Sequence, residues 1–206
     1  MGHRKGAKNF ENFLDWCFEL NVPQISAYVL STENLNRPQR EVEEIFKIYQ
    51  DYLENLLKKK SSFFEKYQVK IKFVGDFERL PPKVVKLMGK VMEKTAKYQK
   101  KVLNILVAYG SHFELTQAMK NIAKKFIENG KIVEITEKDI EANLLVPVPV
   151  DLVIRTGNMN RLSNLLLWQS AYAEIYVTKT LWPDFTKKEL VKAIRWYGST
   201  KRNFGA

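Results

Sequence analysis

The sequence VLNILVA at residues 102–108 decides the fold, because this short and almost wholly apolar run has the length of a buried β-strand. Tyr109-Gly110-Ser111 ends the run, and a helical pattern follows to about residue 128. Similar runs occur at residues 25–30, 69–74, 151–154 and 174–177. Strands that alternate with helices indicate βαβ units. The sequence therefore predicts an α/β fold with a single, mainly parallel sheet that is flanked by helices.

Helical periodicity fills most of the segments between these runs. Helices are predicted at residues 8–20, 39–60, 81–92, 136–144, 163–171 and 186–197. The apolar stripes of the second and third helices are most simply explained as core, and the alternative is that they form two walls of a tunnel for a long hydrocarbon. No internal repeat or linker is visible, so we expect one domain over residues 1–206.

The composition excludes several classes of protein. The 206 residues are 45% hydrophobic and 28% charged, which is ordinary for a globular chain and excludes a disordered or collagen-like one. Cys17 is the only cysteine, which excludes an internal disulfide and a multi-cysteine zinc site and agrees with a cytoplasmic location. The formal net charge of +11 favours anionic partners, namely phosphate compounds, nucleic acid or an anionic membrane face.

Ligands of open parallel sheets bind beyond the carboxyl ends of the strands. This rule selects the loops at residues 31–37, 75–79, 109–112 and 155–163 and the segment around residue 174.

The loop after the fourth run carries the residues of a diphosphate site. Arg155 leaves the end of a predicted strand, Arg161 precedes a predicted helix, and Ser163 stands at its start. Two guanidinium groups, a hydroxyl and the free N–H groups of a helix N-terminus suit a diphosphate. The alternative is that each arginine pairs with an acidic residue and that Ser163 is an ordinary helix cap. For the set as a whole, the anion site is favoured.

The loop after the first run has a similar character. Ser31, Thr32, Asn34 and Arg37 lie between a predicted strand and a predicted helix. Asn can position a polar hydrogen or a water, and Arg can bind phosphate. The alternative is a turn that is rich in local side-chain caps.

Two further residues have weaker signals. Glu174 lies at a predicted strand start, where it suits Mg²⁺ beside a diphosphate, although a salt bridge is the simpler explanation. His3 stands next to Arg4 and Lys5, and a lone histidine near a terminus is more often an exposed surface group than a ligand.

The two loops and their surroundings resemble the cis-prenyltransferases, and the resemblance extends over essentially the whole chain. The matching blocks are Gly2-His3 with Gly6, Ser31-Thr-Glu-Asn34 with Asn36-Arg37-Pro38, Val74-Gly75-Asp76, Leu80-Pro81-Pro82, Asn104 to Gly110, Asp151 to Gly157, Arg161 to Gln169, Ala171 to Glu174 and Leu181 to Phe185.

The resemblance implies an enzyme that adds isopentenyl diphosphate to an allylic diphosphate such as farnesyl diphosphate, with a new cis double bond in each cycle and a long-chain polyprenyl diphosphate as product. It implies that Arg155, Arg161 and Ser163 hold isopentenyl diphosphate and that Asn34 removes or positions the proton. It also implies that Glu174 helps to hold Mg²⁺. The remaining substrate-binding positions that it implies are His3 near the allylic diphosphate and Ser31, Thr32, Glu33 and Arg37 in the first loop.

The resemblance further implies a homodimer, or a heterodimer with a homologue, and it leaves room for peripheral contact with a membrane. In the family a first strand and an Asp-Gly-Asn-Gly-Arg-type loop with a metal-binding Asp precede the position of His3, and both are absent from this sequence. The alternative function is therefore a non-catalytic accessory subunit of a heteromeric cis-prenyltransferase. A nucleic-acid-binding module is a third class, but the chain has no aromatic and basic recognition segment, and we expect no nucleic acid partner.

Overall fold

The computed structural model describes residues 2–58, 63–129 and 134–202, with the side chains of residues 2–4 and 129 left aside. In these ranges the helices are α1 (Gly2–Glu19), α2 (Gln39–Lys58), α3 (Phe63–Lys66), α4 (Pro82–Thr95), α5 (Ser111–Asn129), α6 (Glu137–Ala142) and α7 (Lys187–Ser199). The strands are β1 (Gln24–Ser31), β2 (Val69–Val74), β3 (Lys101–Tyr109), β4 (Leu152–Arg155) and β5 (Glu174–Val177). The chain divides into two compact units, a larger one (Pro23–Pro149 with Leu162–Gln169) and a smaller one (Met1–Val22, Val150–Arg161 and Ser170–Ala206).

The larger unit is built around β3, which pairs in parallel with β1 on one side and with β2 on the other. Leu103 of β3 lies in register with Ile25 of β1 and Ile71 of β2. The residues of β3 from Leu103 to its last residue are all buried, as expected for the central strand of a parallel sheet. α4 packs on β2 and on α2, and the Pro81-Pro82 pair fixes its first turn.

The smaller unit contains β4 and β5, which pair in parallel with Leu152 in register with Glu174 and Arg155 in register with Val177. α1 packs against α7 and against a 3-10 helix (Trp182–Asp184). The side chain of Asn9 on α1 donates from Nδ2 to the carbonyl of Trp182 at 2.8 Å.

Cys17 belongs to the smaller unit, where it lies on α1 with only 3% of its surface exposed. Burial disfavours the charged thiolate and raises the pKa of the Cys17 thiol to about 12. The thiol is therefore almost fully protonated at neutral pH, which makes it a poor nucleophile.

The predicted α/β architecture is confirmed, and every strand pair in the described ranges is parallel. The prediction of one single sheet is wrong for these ranges, since the strands form a three-stranded sheet and a separate two-stranded sheet. The hydrogen-bond ladders give the reason. In the first sheet β3 is paired on both sides, and β1 and β2 are the edge strands. β4 and β5 pair only with each other among the described strands. The expectation of one domain over residues 1–206 stays a prediction.

The predicted helix at residues 163–171 is also wrong, because this segment forms bends and turns. Ser163, Asn164 and Leu166 have φ angles of 53°, 61° and 42°, which a right-handed helix does not contain. Ser163 therefore cannot offer the N-terminus of a helix to an anion. The other predicted helices and strands are confirmed to within a few residues, apart from an earlier start of α1. In the described residues, none of the helices has the length and apolar character that crossing a membrane requires.

Gly75 closes the turn after β2 and allows a test of this fold. Its φ is 147°, and a Cβ atom there would lie 1.8 Å from the carbonyl oxygen of Val107. We expect Gly75→Ala to destabilise the protein by roughly 2 kcal/mol or more, because the backbone of two adjacent strands must move apart. Urea unfolding followed by circular dichroism measures this.

Gly89 provides the matched control, because it lies within α4 and a Cβ atom there meets nothing within 4 Å. Gly89→Ala should stabilise the protein by about 0.5–1 kcal/mol, since alanine loses less backbone entropy in a helix. Equal midpoints for the two variants would contradict the turn geometry after β2.

Candidate active site

The first loop of the predicted site is held by its own side chains at the carboxyl end of β1. The backbone N–H of Ser31 donates to Oδ1 of Asn34, and the backbone N–H of Asn34 donates to Oγ of Ser31, each at 3.1 Å. These reciprocal bonds open a short 3-10 helix (Glu33–Asn36). The loop therefore contains the local hydrogen bonds between side chains and backbone that the alternative interpretation predicted. The caps also fix the carboxamide of Asn34 in one orientation, which a positioning group requires.

Three chain segments of the larger unit cross at Gly110, directly after β3. Thr32 donates its backbone N–H to the carbonyl of Tyr109 at 2.9 Å. A Cβ atom at Gly110 would lie 2.5 Å from Nδ2 of Asn164 and 2.8 Å from Oγ1 of Thr32. Only glycine therefore lets the loops that carry Asn34 and Ser163 approach each other here.

Ser163 and Asn164 are anchored to the same edge of this sheet. The hydroxyl of Tyr28 donates to the carbonyl of Ser163 at 3.2 Å, and the backbone N–H of Ser111 donates to the carbonyl of Asn164 at 2.8 Å. The side chain of Asn164 bridges two loops, because Oδ1 accepts from the backbone N–H of His112 at 3.0 Å and Nδ2 donates to Oε1 of Glu33 at 2.9 Å. The structure thus brings the Ser163 loop together with the Ser31–Asn34 loop.

Glu33 is kept ionised by this contact. Partial desolvation acts to raise the pKa of its carboxyl, but the hydrogen bonds from Asn164 and from the Glu33, Ser31 and Thr32 groups outweigh it, and the pKa is lowered. Because the folded-state pKa is depressed, the bridge to Asn164 is complete above the ordinary carboxyl pKa and is lost as the pH falls through the lowered value.

Arg37 lies at the end of the first loop and pairs with Glu41 one helical turn further on, with 2.6 Å between Nη1 and Oε1. The side chains are 45% and 37% exposed, so the pair contributes little to stability. A phosphate can therefore displace Glu41 at small cost.

In the smaller unit, Arg155 is the last residue of β4 and is followed by a fixed turn. Gly157 and Asn158 have φ angles of 78° and 58°, and their N–H groups donate to the carbonyls of Thr180 and Thr178 at 2.9 and 2.8 Å. The N–H of Thr178 returns to the carbonyl of Arg155 at 2.9 Å. The backbone that carries Arg155 is thereby fixed on the β5 side, as a positioned guanidinium requires.

The other predicted site residues of the smaller unit are Arg161, Glu174 and His3. Arg161 is exposed in an irregular segment. Glu174 is the first residue of β5, so the expectation that its segment lies with the carboxyl ends of the strands is wrong: it stands at the amino end, in register with Leu152. Three register positions, about 10 Å of strand, separate it from the partner of Arg155. His3 lies on α1, and its side chain falls outside the described part of the chain.

The residues in the described ranges do not form a magnesium site by themselves, since no three His, Cys, Asp or Glu side chains are grouped to hold a metal ion there. Mg²⁺ is commonly bound by one or two carboxylates together with substrate phosphates. Glu174 is a part-buried carboxylate with the chemistry of such a ligand, and it stands about 10 Å along β5 from the partner of Arg155.

Sequence reasoning missed the buried cluster that supports the Ser163 loop. Glu114 is 1% exposed, and its carboxylate accepts hydrogen bonds from the hydroxyl of Tyr109 at 2.5 Å and from Nε2 of Gln169 at 3.0 Å. The sequence did contain a signal for this cluster. Glu114 is a charged residue in the first turn of a helix that begins directly after a buried strand.

The chain is similar to known proteins over nearly its whole length. A family model described as putative undecaprenyl diphosphate synthase, Prenyltransf, matches residues 1–205. An isoprenyl transferase of Thermotoga maritima is 39% identical over 206 residues, which cover 99% of this chain and 86% of that protein.

Two solved structures are similar over the whole fold. The crystal structure of a probable undecaprenyl diphosphate synthase from Campylobacter jejuni has a TM-score of 0.85 at 37% identity and covers 98% of this chain and 93% of that one. Lavandulyl diphosphate synthase from Lavandula x intermedia, in complex with dimethylallyl diphosphate, has a TM-score of 0.88 at 29% identity, with 100% and 88% of the two chains covered. The chain described here belongs to the undecaprenyl diphosphate synthase family, that is, to the cis-prenyltransferases.

Proposed function

We propose that this protein is a cis-prenyltransferase that lengthens an allylic diphosphate with isopentenyl diphosphate. In each cycle the allylic carbon–oxygen bond breaks and diphosphate leaves, a carbon–carbon bond forms to isopentenyl diphosphate, and a proton is lost from the condensing unit to give a cis double bond. The observation that carries the proposal is the family match over residues 1–205, which includes both loops of the candidate site. The product is a long-chain polyprenyl diphosphate.

The proposed binding groups for isopentenyl diphosphate are Arg155, Arg161 and Ser163. Guanidinium groups bind diphosphate oxygens through two parallel N–H donors each, and a serine hydroxyl adds one donor. The fixed turn after Arg155 and the anchored backbone of Ser163 support this assignment, because a group held in place loses less entropy on binding. The exposed Arg161 is the member that is free to close on the ligand.

Asn34 is proposed to position the proton that leaves the condensing unit. A neutral carboxamide is a weak base, so its contribution is orientation rather than lasting acceptance of the proton. Its Oδ1 is already fixed by the N–H of Ser31, which leaves the Nδ2 donor pair to orient an oxygen of the departing diphosphate or of the diphosphate group of isopentenyl diphosphate. The diphosphate that leaves, or a water, then receives the proton.

The allylic substrate is proposed to contact the first loop and the helices beside it. His3, Ser31, Thr32, Glu33 and Arg37 are the proposed polar contacts. Part of the apolar stripe on α2 is core, including the buried Ile45, Leu53 and Leu56. Other members of the stripe, such as Phe46 and Tyr49, are only part-buried, and this supports a lining role for a growing hydrocarbon chain.

Mg²⁺ is proposed as the cofactor, with Glu174 as its protein ligand in the described chain. When bound, Mg²⁺ neutralises charge on a diphosphate group and so favours its departure. Among the proposed partners are a second copy of the chain or a homologue, in a dimer. We also propose a cytoplasmic protein that contacts membranes peripherally, and Lys188, Lys192 and Arg195 support this because they form an exposed basic stripe along α7.

The decisive experiment incubates the purified chain with farnesyl diphosphate, labelled isopentenyl diphosphate and Mg²⁺. Labelled polyprenyl diphosphate is the expected product. Arg155→Ala should raise the KM for isopentenyl diphosphate roughly 10- to 150-fold, because a lost charge-assisted contact is worth about 1.5–3 kcal/mol. Arg40→Ala is the control, since that side chain is 92% exposed and should leave the KM unchanged. Absence of product would refute the proposal, and product only after a homologue is added would indicate an accessory subunit.

The role of Glu174 is tested by a Mg²⁺ titration of the same reaction. Glu174→Gln keeps the shape of the side chain but weakens it as a metal ligand, so we expect the half-saturating Mg²⁺ concentration to rise roughly 3- to 10-fold while saturating Mg²⁺ restores the rate. Glu128→Gln on α5 removes an exposed carboxylate and serves as the control. An unchanged titration for Glu174→Gln would exclude it as a ligand.

Peripheral membrane contact is measured by co-sedimentation with vesicles that contain phosphatidylserine. Reversing the charges of Lys188, Lys192 and Arg195 should abolish binding, because each basic residue near an anionic surface contributes about 1 kcal/mol. The matched control reverses Lys86, Lys90 and Lys100, which changes the net charge equally. Equal loss in both variants would show that total charge, rather than the face of α7, governs binding.

A further inference from the structure

We propose that Glu114 is a positioning residue that holds the Ser163 loop in its binding conformation, an inference that rests on the proposed function of Ser163 as a diphosphate contact. The carboxylate of Glu114 accepts four hydrogen bonds. Oε1 accepts from the backbone N–H groups of Leu145 at 2.8 Å and Val146 at 3.1 Å, and Oε2 accepts from Tyr109 and Gln169. A buried charge is tolerated when it is fully hydrogen-bonded in this way.

Two of these donors connect Glu114 to the loop. Gln169 is the last residue of the 162–169 segment, and its Nε2 also donates to the carbonyl of Val146 at 3.0 Å. Tyr109 lies next to Ser111 in the cluster, where the two hydroxyl oxygens are 3.4 Å apart. Ser111 in turn accepts the backbone N–H of Leu167 at 2.7 Å. The cluster is therefore hydrogen-bonded to the loop at Leu167 and at Gln169.

The loop needs this support because its backbone is strained. Ser163, Asn164 and Leu166 are non-glycine residues with positive φ, a conformation that costs about 1 kcal/mol or more at each residue. Such a conformation persists only when its surroundings hold it in place. Tyr28, Ser111 and Asn164 fix the first part of the loop, and the Glu114 cluster fixes the second.

The protonation state of Tyr109 is suited to a lasting hydrogen-bond donor. Burial, followed by the nearby carboxylate of Glu114, raises the pKa of the Tyr109 hydroxyl above its ordinary range. Tyr109 therefore keeps its proton and continues to donate to Glu114 throughout the physiological pH range.

The test variant is Glu114→Gln, which replaces one acceptor oxygen by an NH₂ group that faces the NH₂ group of Gln169. We expect the KM for isopentenyl diphosphate to rise roughly tenfold, while the KM for farnesyl diphosphate changes less than twofold. Amide deuterium exchange of the 163–169 segment should accelerate roughly tenfold or more. Gln169→Glu combined with Glu114→Gln restores the donor–acceptor pair between these two side chains but places a carboxylate against the carbonyl of Val146, so it should recover only part of both effects.

Two comparisons separate positioning from a general structural role. Glu128→Gln on the same helix should leave both KM values and the exchange rates unchanged. In a Ser163→Ala background, Glu114→Gln should cost much less than in the wild type, because the group that it positions is already gone. Full additivity of the two substitutions would overturn the proposal, and so would a lowered melting temperature with unchanged KM and exchange. If Glu114→Gln does not fold, Ser111→Ala removes the acceptor of Leu167 and the contact with the Tyr109 hydroxyl, and the same two readouts decide.

The outcomes also separate this inference from the proposed function. If the wild type neither binds nor uses isopentenyl diphosphate, the proposed function fails, and the exchange measurement still decides whether Glu114 holds the loop. If the wild type is active and Glu114→Gln behaves like Glu128→Gln in every measurement, the inference on Glu114 fails and the proposed function stands.

Discussion

The carboxyl end of β3 is the constraint on which the larger unit depends. The strand is paired on both sides, so its neighbours must end at the same edge, and the loops that leave them are hydrogen-bonded to its last residues. Asp76 donates its N–H to the carbonyl of Ala108, and Thr32 donates to that of Tyr109. Directly beyond, Gly110 leaves the space in which Thr32 and Asn164 meet. A small shift of this strand end would therefore displace every polar group of the first loop together.

The local sequence predicted those parts of the fold that depend on hydrophobic periodicity and on residues that begin or end helices and strands. Sequence analysis predicted strands β1 to β5 and the helices that follow Pro81 and Thr186, because the signals for each element lie in a few adjacent residues. The capping box of Thr186 with Glu189 is an example of such a signal. The loops of the candidate site were also found, since they follow buried strands.

The segment 163–171 was predicted as a helix because its apolar residues have helical spacing, but long-range hydrogen bonds override that preference. The backbone N–H of Ser111 donates to the carbonyl of Asn164, and its Oγ accepts from the N–H of Leu167. The local sequence around residues 163–169 contains no signal for these bonds. Glu174 was correctly predicted at the start of a strand, and the error was to group that start with the loops at the carboxyl ends. In the parallel pair of β4 and β5, the start of β5 lies at the amino end, as the register of Glu174 with Leu152 shows. The support by Glu114 was missed because its partners lie 5, 31, 32 and 55 residues away in the chain.

The buried thiol of Cys17 has a practical consequence for future work on this protein. Because these 206 residues contain one cysteine, which is buried and protonated, a second cysteine placed on their surface becomes the site that maleimide dyes or spin labels modify readily. Spectroscopic probes can thus be attached to the first loop or to the Ser163 segment without first removing the native residue. The distance between two such probes would report loop motion in solution directly.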